Sequence, residues 1–129
     1  MSIMVVHAYE YVHRQHRDTY ETRGNAVQLE VKANEPGMLA HCRTLVSEDA
    51  DVCTYMWLEV CKNPDALIAH IDSPHVAKHA KFLSDGILAH PSRIEIFGSL
   101  TNEDKARLSA KIDDIVFLPS DAAFYRTAE

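Results

Sequence analysis

Only four glycines occur in the chain, and none falls in a G-x-G-x-x-G or phosphate-loop spacing. A dinucleotide or triphosphate site built on a glycine-rich turn is therefore excluded. A G-x-S-x-G nucleophile elbow and zinc-finger spacing are absent as well. Cysteine is limited to Cys42, Cys53 and Cys61, with no C-x-x-C. That odd number predicts buried thiols in a reduced compartment, not a disulfide framework. Positive charge is short too: 13 Lys and Arg stand against 19 Asp and Glu, a formal net charge of −6. The basic residues are scattered and form no stripe that would neutralise phosphates, so nucleic acid is not an expected partner. No apolar run approaches the roughly 20 residues that a membrane helix needs. The run from Met1 to Val6 has no basic segment before it and no long apolar stretch after it, which predicts no signal peptide and a cytoplasmic protein. What is present, 47% apolar and 25% charged residues in 129, suits one soluble domain with a single core.

The pattern along the chain alternates between the two structural periods. Met4 to Val12 sets Val5, His7, Tyr9 and Tyr11 against Val6, Ala8, Glu10 and Val12, which predicts a strand. Arg17 to about Asn34 reads as an amphipathic helix weakened by Gly24, and Glu35-Pro36-Gly37 stops it. Met38 to Ser47 and Val52 to Cys61 read as strands joined by the acidic turn Glu48 to Asp51, hence an antiparallel hairpin. Asn63-Pro64-Asp65 opens a helix to about Asp72, with Asn at the cap and Pro in the first turn. Ser73-Pro74 breaks it and caps a second helix. Arg93 to Leu100 is the expected fourth strand. A short helix from about Asn102 to Lys111 and an extended run, Ile115 to Leu118, follow. The order β-α-β-β-α-β predicts an α+β, ferredoxin-like domain: two helices on one face of a four-stranded antiparallel sheet. Its other face, also largely apolar, is expected to pack against the same face of a second copy, giving a homodimer.

The densest set of ionisable groups is His70, His75 and His79. His70 lies one turn beyond Ala66 on a helix expected to cover the sheet, where an imidazole can exchange protons near neutral pH. His75 and His79, at i and i+4, share a helix face. With Glu59 these imidazoles have the composition of a two-His, one-carboxylate site, but the H-E-x-x-H form is missing and no metal is expected. Tyr55, Trp57 and Glu59 share one face of the third strand. An aromatic wall beside a carboxylate suits a flat, hydroxylated aromatic ligand. His41 and Arg43 share a face of the second strand, where Arg43 is a candidate to stabilise an enolate or phenolate or to pair with Glu59. His7 or Tyr9, on the neighbouring first strand, is expected to approach Trp57.

Three features together resemble the antibiotic biosynthesis monooxygenase family of dimeric α/β barrels. They are the order of elements, Glu35-Pro36-Gly37-Met38 leading into the second strand, and Glu59 followed by Ala66, His70, Ser73 and His75. The resemblance covers roughly residues 4–100; residues 101–129 form a C-terminal extension that covers the cavity or reaches to the partner. It implies a cavity between sheet and helices and a monooxygenase that uses no cofactor. The substrate would be a small aromatic or quinol-like molecule, oxidised by O₂. His70 or Glu59 would serve as base, with Trp57, Tyr55, His41, Arg43, His75, His79 and Tyr9 around the substrate. A non-enzymatic dimeric binding domain is the alternative. Haem binding through His79 is the less favoured one, since the tryptophan typical of that branch near the position of His70 is absent.

Overall fold

The computed structural model describes residues 3–126. Strands β1 (Met4–His13), β2 (Met38–Glu48), β3 (Val52–Cys61), β4 (Leu88–Phe97) and β5 (Ile115–Leu118) form one sheet in the order β2-β3-β1-β4-β5. Helices α1 (Arg17–Asn34), α2 (Pro64–Asp72), α3 (Pro74–Ser84) and α4 (Asn102–Ser109) connect them. The first four strands pair antiparallel, as expected for the ferredoxin-like order. The run Ile115–Leu118 adds a fifth strand, parallel to β4, so the sheet is antiparallel except at that edge.

Strand alternation decides which side chains meet the helices. On β1 that face carries Met4, Val6, Ala8, Glu10 and Val12; on β3 it carries Cys53, Tyr55, Trp57, Glu59 and Cys61. Tyr20 of α1, Leu67 of α2, Leu83 of α3 and Leu108 of α4 all pack into the apolar clusters on this side. The opposite face carries Val5, His7, Tyr9, Tyr11, Met56, Leu58 and Val60, all half-buried.

The fourth strand begins earlier and ends sooner than the sequence suggests. Pro91 hid its first half, because proline cannot donate to a ladder. β5 pairs only with Ile94–Phe97, so Pro91 lies where β4 is still the sheet edge and no partner needs its N–H. A register irregularity opposite Tyr9 and Tyr11 absorbs the distortion. Gly98 then ends the strand at φ +136°, where a side chain would meet the Ile3 carbonyl oxygen and Met4.

Two side-chain caps shape the region below β3. The Asn63 carboxamide oxygen accepts from the Ala66 N–H at 2.8 Å and starts α2. The Ser73 hydroxyl donates to the His70 carbonyl at 2.6 Å, and its oxygen accepts from the Val76 N–H at 3.3 Å. One serine thus closes α2 and opens α3, fixing the turn that separates His70 from His75.

Candidate functional site

A cavity of about 420 Å³ lies between the sheet and helices α2 and α3, within the size range of small-molecule sites. Val6, Ala8, Leu67, Ile71, Val76, Ile94 and Ile96 make much of its wall apolar. Its polar lining includes Glu59, His41 and His70 in one group and Glu10 and His79 in another, with Trp57, Ser92, Lys111 and Asp113 also on the wall.

The first group follows from strand register and one helical turn. His41 and Glu59 are cross-strand partners on β2 and β3, so their side chains emerge side by side. His70, in the last turn of α2, reaches the same carboxylate from above. Glu59 Oε2 lies 3.4 Å from His70 Nε2 and 3.6 Å from His41 Nε2. On its other side, His70 Nδ1 donates to Glu35 at 2.8 and 3.0 Å. His75 Nε2 meets the same Glu35 carboxylate at 2.5 Å.

His70 is therefore an imidazole held between two carboxylates. Burial works against its charge, but Glu35 and Glu59 outweigh burial and raise it to about 10. Burial pushes the Glu59 carboxyl up, and His41 and His70 reverse that, bringing it down to about 2. Glu35 behaves alike: burial raises it, and His70 with His75 hold it below the ordinary carboxylate range. At neutral pH the cluster is a buried cation, His70, between the anions Glu35 and Glu59. This changes the expected role of His70, because an imidazole already protonated at neutral pH cannot serve as a base.

The second group is built on Glu10. Tyr20 donates its hydroxyl proton to Glu10 Oε1 at 2.6 Å, and Trp57 Nε1–H donates to the same oxygen at 2.8 Å. His79 Nε2 lies 3.3 Å from it. Burial, then Glu10, raise the Tyr20 phenol well above its ordinary value. These bonds lock the indole in the cavity wall. Glu10 also engages His79 Nε2, while His79 Nδ1 is buried with no hydrogen-bond partner.

Several expected residues lie elsewhere. Arg43 is on the far side of the aromatic wall, its guanidinium 5.5 Å from the Trp57 ring and 5.7 Å from the Tyr20 ring. It donates to Asn25 Oδ1 at 2.9 Å and the Glu21 carbonyl at 3.2 Å. It neither lines the cavity nor pairs with Glu59, so it holds the wall and faces no substrate anion. Tyr55 is buried against Tyr20 at 4.6 Å and donates to Glu21 at 2.5 Å, also outside the cavity. Tyr9 and His7 point to the opposite sheet face. Strand alternation makes Ala8, not Tyr9, the neighbour of Trp57. His75 turns away with Glu35 to line a second, more open cavity of about 600 Å³.

Four residues of the site went unpredicted: Glu10, Tyr20, Glu35 and Gln28, whose side-chain Nε2 donates to the His41 carbonyl at 2.7 Å. Glu10 had a signal, since it interrupts an otherwise apolar strand face. Glu35 read as part of a helix stop and of the run leading into the second strand, not as a site residue. Two donor sets, His41-Glu59-His70 and Glu35-His70-His75, have their nitrogen and oxygen atoms within 4.8 Å of one another, the composition of a site for a divalent ion. Both share His70, which lies between the two carboxylates.

No protein-family model and no curated protein matches the chain. Solved structures do. A protein of Caulobacter crescentus CB15, named provisionally as an antibiotic biosynthesis monooxygenase, is 23% identical with a TM-score of 0.68, covering 78% of this chain and 92% of that one. MupZ from Pseudomonas fluorescens is 16% identical with a TM-score of 0.69, covering 97% of this chain and 94% of that one, so that match takes in the C-terminal segment. A structure named antibiotic biosynthesis monooxygenase is 14% identical with a TM-score of 0.64, covering 76% and 99%. Likeness at this identity carries the fold and not the reaction: the chain has the α+β, ferredoxin-like fold of structures named antibiotic biosynthesis monooxygenases.

Proposed function

We propose that the chain is a monooxygenase of the antibiotic-biosynthesis type, with no cofactor of its own, acting on a flat, hydroxylated aromatic or quinol-like molecule in the 420 Å³ cavity. The observation that carries this reading is the buried ion pair of Glu59 and His70, opening onto an apolar cavity beside Trp57. A charged pair is costly to bury, and a cavity beside it is where such a cost has a use.

The chemistry follows from the groups present. A phenolic O–H or an activated ring C–H gives up its proton to the Glu59 carboxylate on the cavity wall, and the electron pair stays on the ring as a delocalised anion. The His70 imidazolium stabilises that anion, and the apolar wall keeps water away. The electron-rich ring is its own reductant towards O₂. For an anthrone, the ring CH₂ becomes C=O, one oxygen atom enters the product, and the other leaves as water with the two hydrogens. Glu59 holds His70 charged and oriented.

Oxygen uptake with an anthrone and a hydroquinone, followed by mass spectrometry of the product made under ¹⁸O₂, tests the reading. One labelled oxygen in the quinone product is expected, with turnover falling about 10²-fold in Glu59→Gln. A ligand that binds and returns unchanged after aerobic incubation points instead to a binding domain without turnover. We also propose that the half-buried sheet face bearing Tyr9, Met56 and Leu58 pairs with a second copy, giving a homodimer.

A further inference from the structure

Glu10 is a second carboxylate on the wall of the same cavity, and no step of the proton transfer uses it. Its two oxygens are engaged unequally. Tyr20, Trp57 and His79 all direct their hydrogens to Oε1, at 2.6, 2.8 and 3.3 Å. An oxygen that already takes three donors has no place for a proton of its own, and His79 Nε2 carries the hydrogen there in either charge state of its ring. Among the described residues no donor comes within hydrogen-bond distance of Oε2. Nor is Oε2 sealed in, because the enclosed and unpaired side-chain polar atom among these residues is His79 Nδ1. Glu10 thus has one saturated oxygen and one open oxygen, on a residue only 7% exposed. A nearly buried acceptor without a partner is unfavourable, and a bound hydroxyl would satisfy it.

Strand register places Glu10 at the far end of the cavity from Glu59. On the helix-facing side of β1 and β3 the successive pairs are Val6 with Glu59, Ala8 with Trp57, and Glu10 with Tyr55. The two acids therefore flank the Ala8–Trp57 pair, about 13 Å apart at the backbone. In the row Met4, Val6, Ala8, Glu10 and Val12, Ala8 is half-buried and the other four are buried. The open space thus lies over Ala8, between the acids. We propose that Glu10 determines substrate specificity, its Oε2 accepting a hydrogen bond from a hydroxyl at the end of the substrate remote from the reacting one. The inference deepens the reading given above and takes from it the ligand class, a flat hydroxylated aromatic. The ligand that this arrangement selects carries O–H groups at opposite ends of fused rings. One end meets Glu59 and His70, where the proton leaves. The other meets Glu10, with the rings over Ala8 and beside the Trp57 indole. Tyr20 and Trp57 hold the Glu10 carboxylate in place, so Oε2 keeps its aim whether or not a ligand is bound. A hydroxyl is preferred to its methyl ether at that end, because the ether leaves the acceptor unpaired.

Calorimetric titration under argon reads binding without turnover. The probes are 2,6-dihydroxynaphthalene and its monomethyl ether, which differ by a single hydrogen-bond donor. The wild type should bind the diol about 10-fold or more tightly than the ether. Glu10→Gln reverses the anchor. The three donors hold the amide oxygen in the place of Oε1, so the NH₂ group takes the place of Oε2 and offers a hydrogen where the carboxylate accepted one. In that variant the preference for the diol should vanish or invert. A merely structural Glu10 would weaken both probes by one factor and leave their ratio as it was. Circular dichroism confirms that the variant is folded. Equal affinities in the wild type, a comparison that needs no variant, overturn the proposal. So does a wild-type preference for the ether, which would place a proton on Oε2, and so does an unchanged ratio in folded Glu10→Gln. Oxygen uptake separates this inference from the reading on which it builds. A wild type that discriminates the pair but consumes no O₂ with the diol or the anthrone keeps the anchor and overturns the monooxygenase reading. A folded wild type that binds neither probe overturns the ligand class and the anchor with it.

Discussion

At the scale of single residues, the site is an electrostatic problem solved by pairing. Glu35 and Glu59 are tolerable in the interior because His70 lies between them and carries charge. Deleting that charge by His70→Asn leaves two buried carboxylates short of a cation, and we expect a loss of about 3–5 kcal/mol near neutral pH. The pH dependence has a definite sign. His70 rises in the folded state from its ordinary 6.5 to about 10, so its contribution is complete below pH 6.5 and is lost as pH climbs towards 10. Glu59 is lowered from 4.5 to about 2, so its contribution is complete above pH 4.5 and is lost as pH falls towards 2. Urea unfolding of the wild type from pH 6 to 10 should show stability declining, and His70→Asn should flatten the curve. A wild-type curve no steeper than that of His70→Asn would show that His70 is not held charged. Part of this was legible in the sequence. Glu59 and His70 stand out because one is acidic on a strand face that is otherwise core and the other is ionisable on a covering helix. Glu35 and Gln28 were not legible as site residues. Their roles arise from contacts across 35 and 13 positions that no local pattern encodes.

Secondary-structure elements are best judged by what their least regular residues permit. Gly24 reads from sequence as a weak point in α1. In the fold it is buried, and a Cβ there would collide with the Arg43 guanidinium and lie 3.2 Å from Trp57 Cζ2. Glycine is what lets α1 approach the wall closely enough for Tyr20 to reach Glu10 and for Gln28 to reach His41. Gly24→Ala therefore sets a gain in helix propensity of about 1 kcal/mol against an overpacking cost of about 1–3 kcal/mol. Overpacking should win, because the indole is fixed by two hydrogen bonds and has nowhere to move. A net loss of up to about 2 kcal/mol in urea unfolding is expected, relieved in part by adding Arg43→Ala. A more stable Gly24→Ala would mean that α1 has slack against Trp57 and Arg43. Pro91 taught the opposite lesson. It hid half of β4, because its meaning depends on whether a neighbour needs its N–H, and that is settled by the length of β5.

At the scale of the whole molecule, the helices, including α4 of the C-terminal segment, and the cavity share one side of the sheet. Leu108 of α4 is fully buried among Met4, Val6, Leu67 and Ile96, and Lys111, Ile112 and Asp113 close one side of the cavity. The segment predicted as an extension is thus part of the core and of the cavity wall. The other side of the sheet presents Tyr9, Met56, Leu58, Val60 and Phe97, half-buried. A largely apolar sheet face of this kind is where a second copy buries most per residue. Charge is disfavoured in the centre of such an interface, so Leu58→Asp isolates the claim. Its side chain points away from the cavity, since its neighbours Trp57 and Glu59 are the ones that enter it. The wild type should sediment as a dimer at micromolar concentration. In Leu58→Asp an unpaired charge would be buried on association, weakening it by roughly 10²-fold or more. Each subunit should keep its fold and its cavity, because Gln28, His41 and Glu59 all lie on the other side of the sheet. A wild type that sediments as a monomer would leave the exposed face to be explained in another way. It would leave untouched the buried acid–imidazole cluster, which a single chain completes by itself.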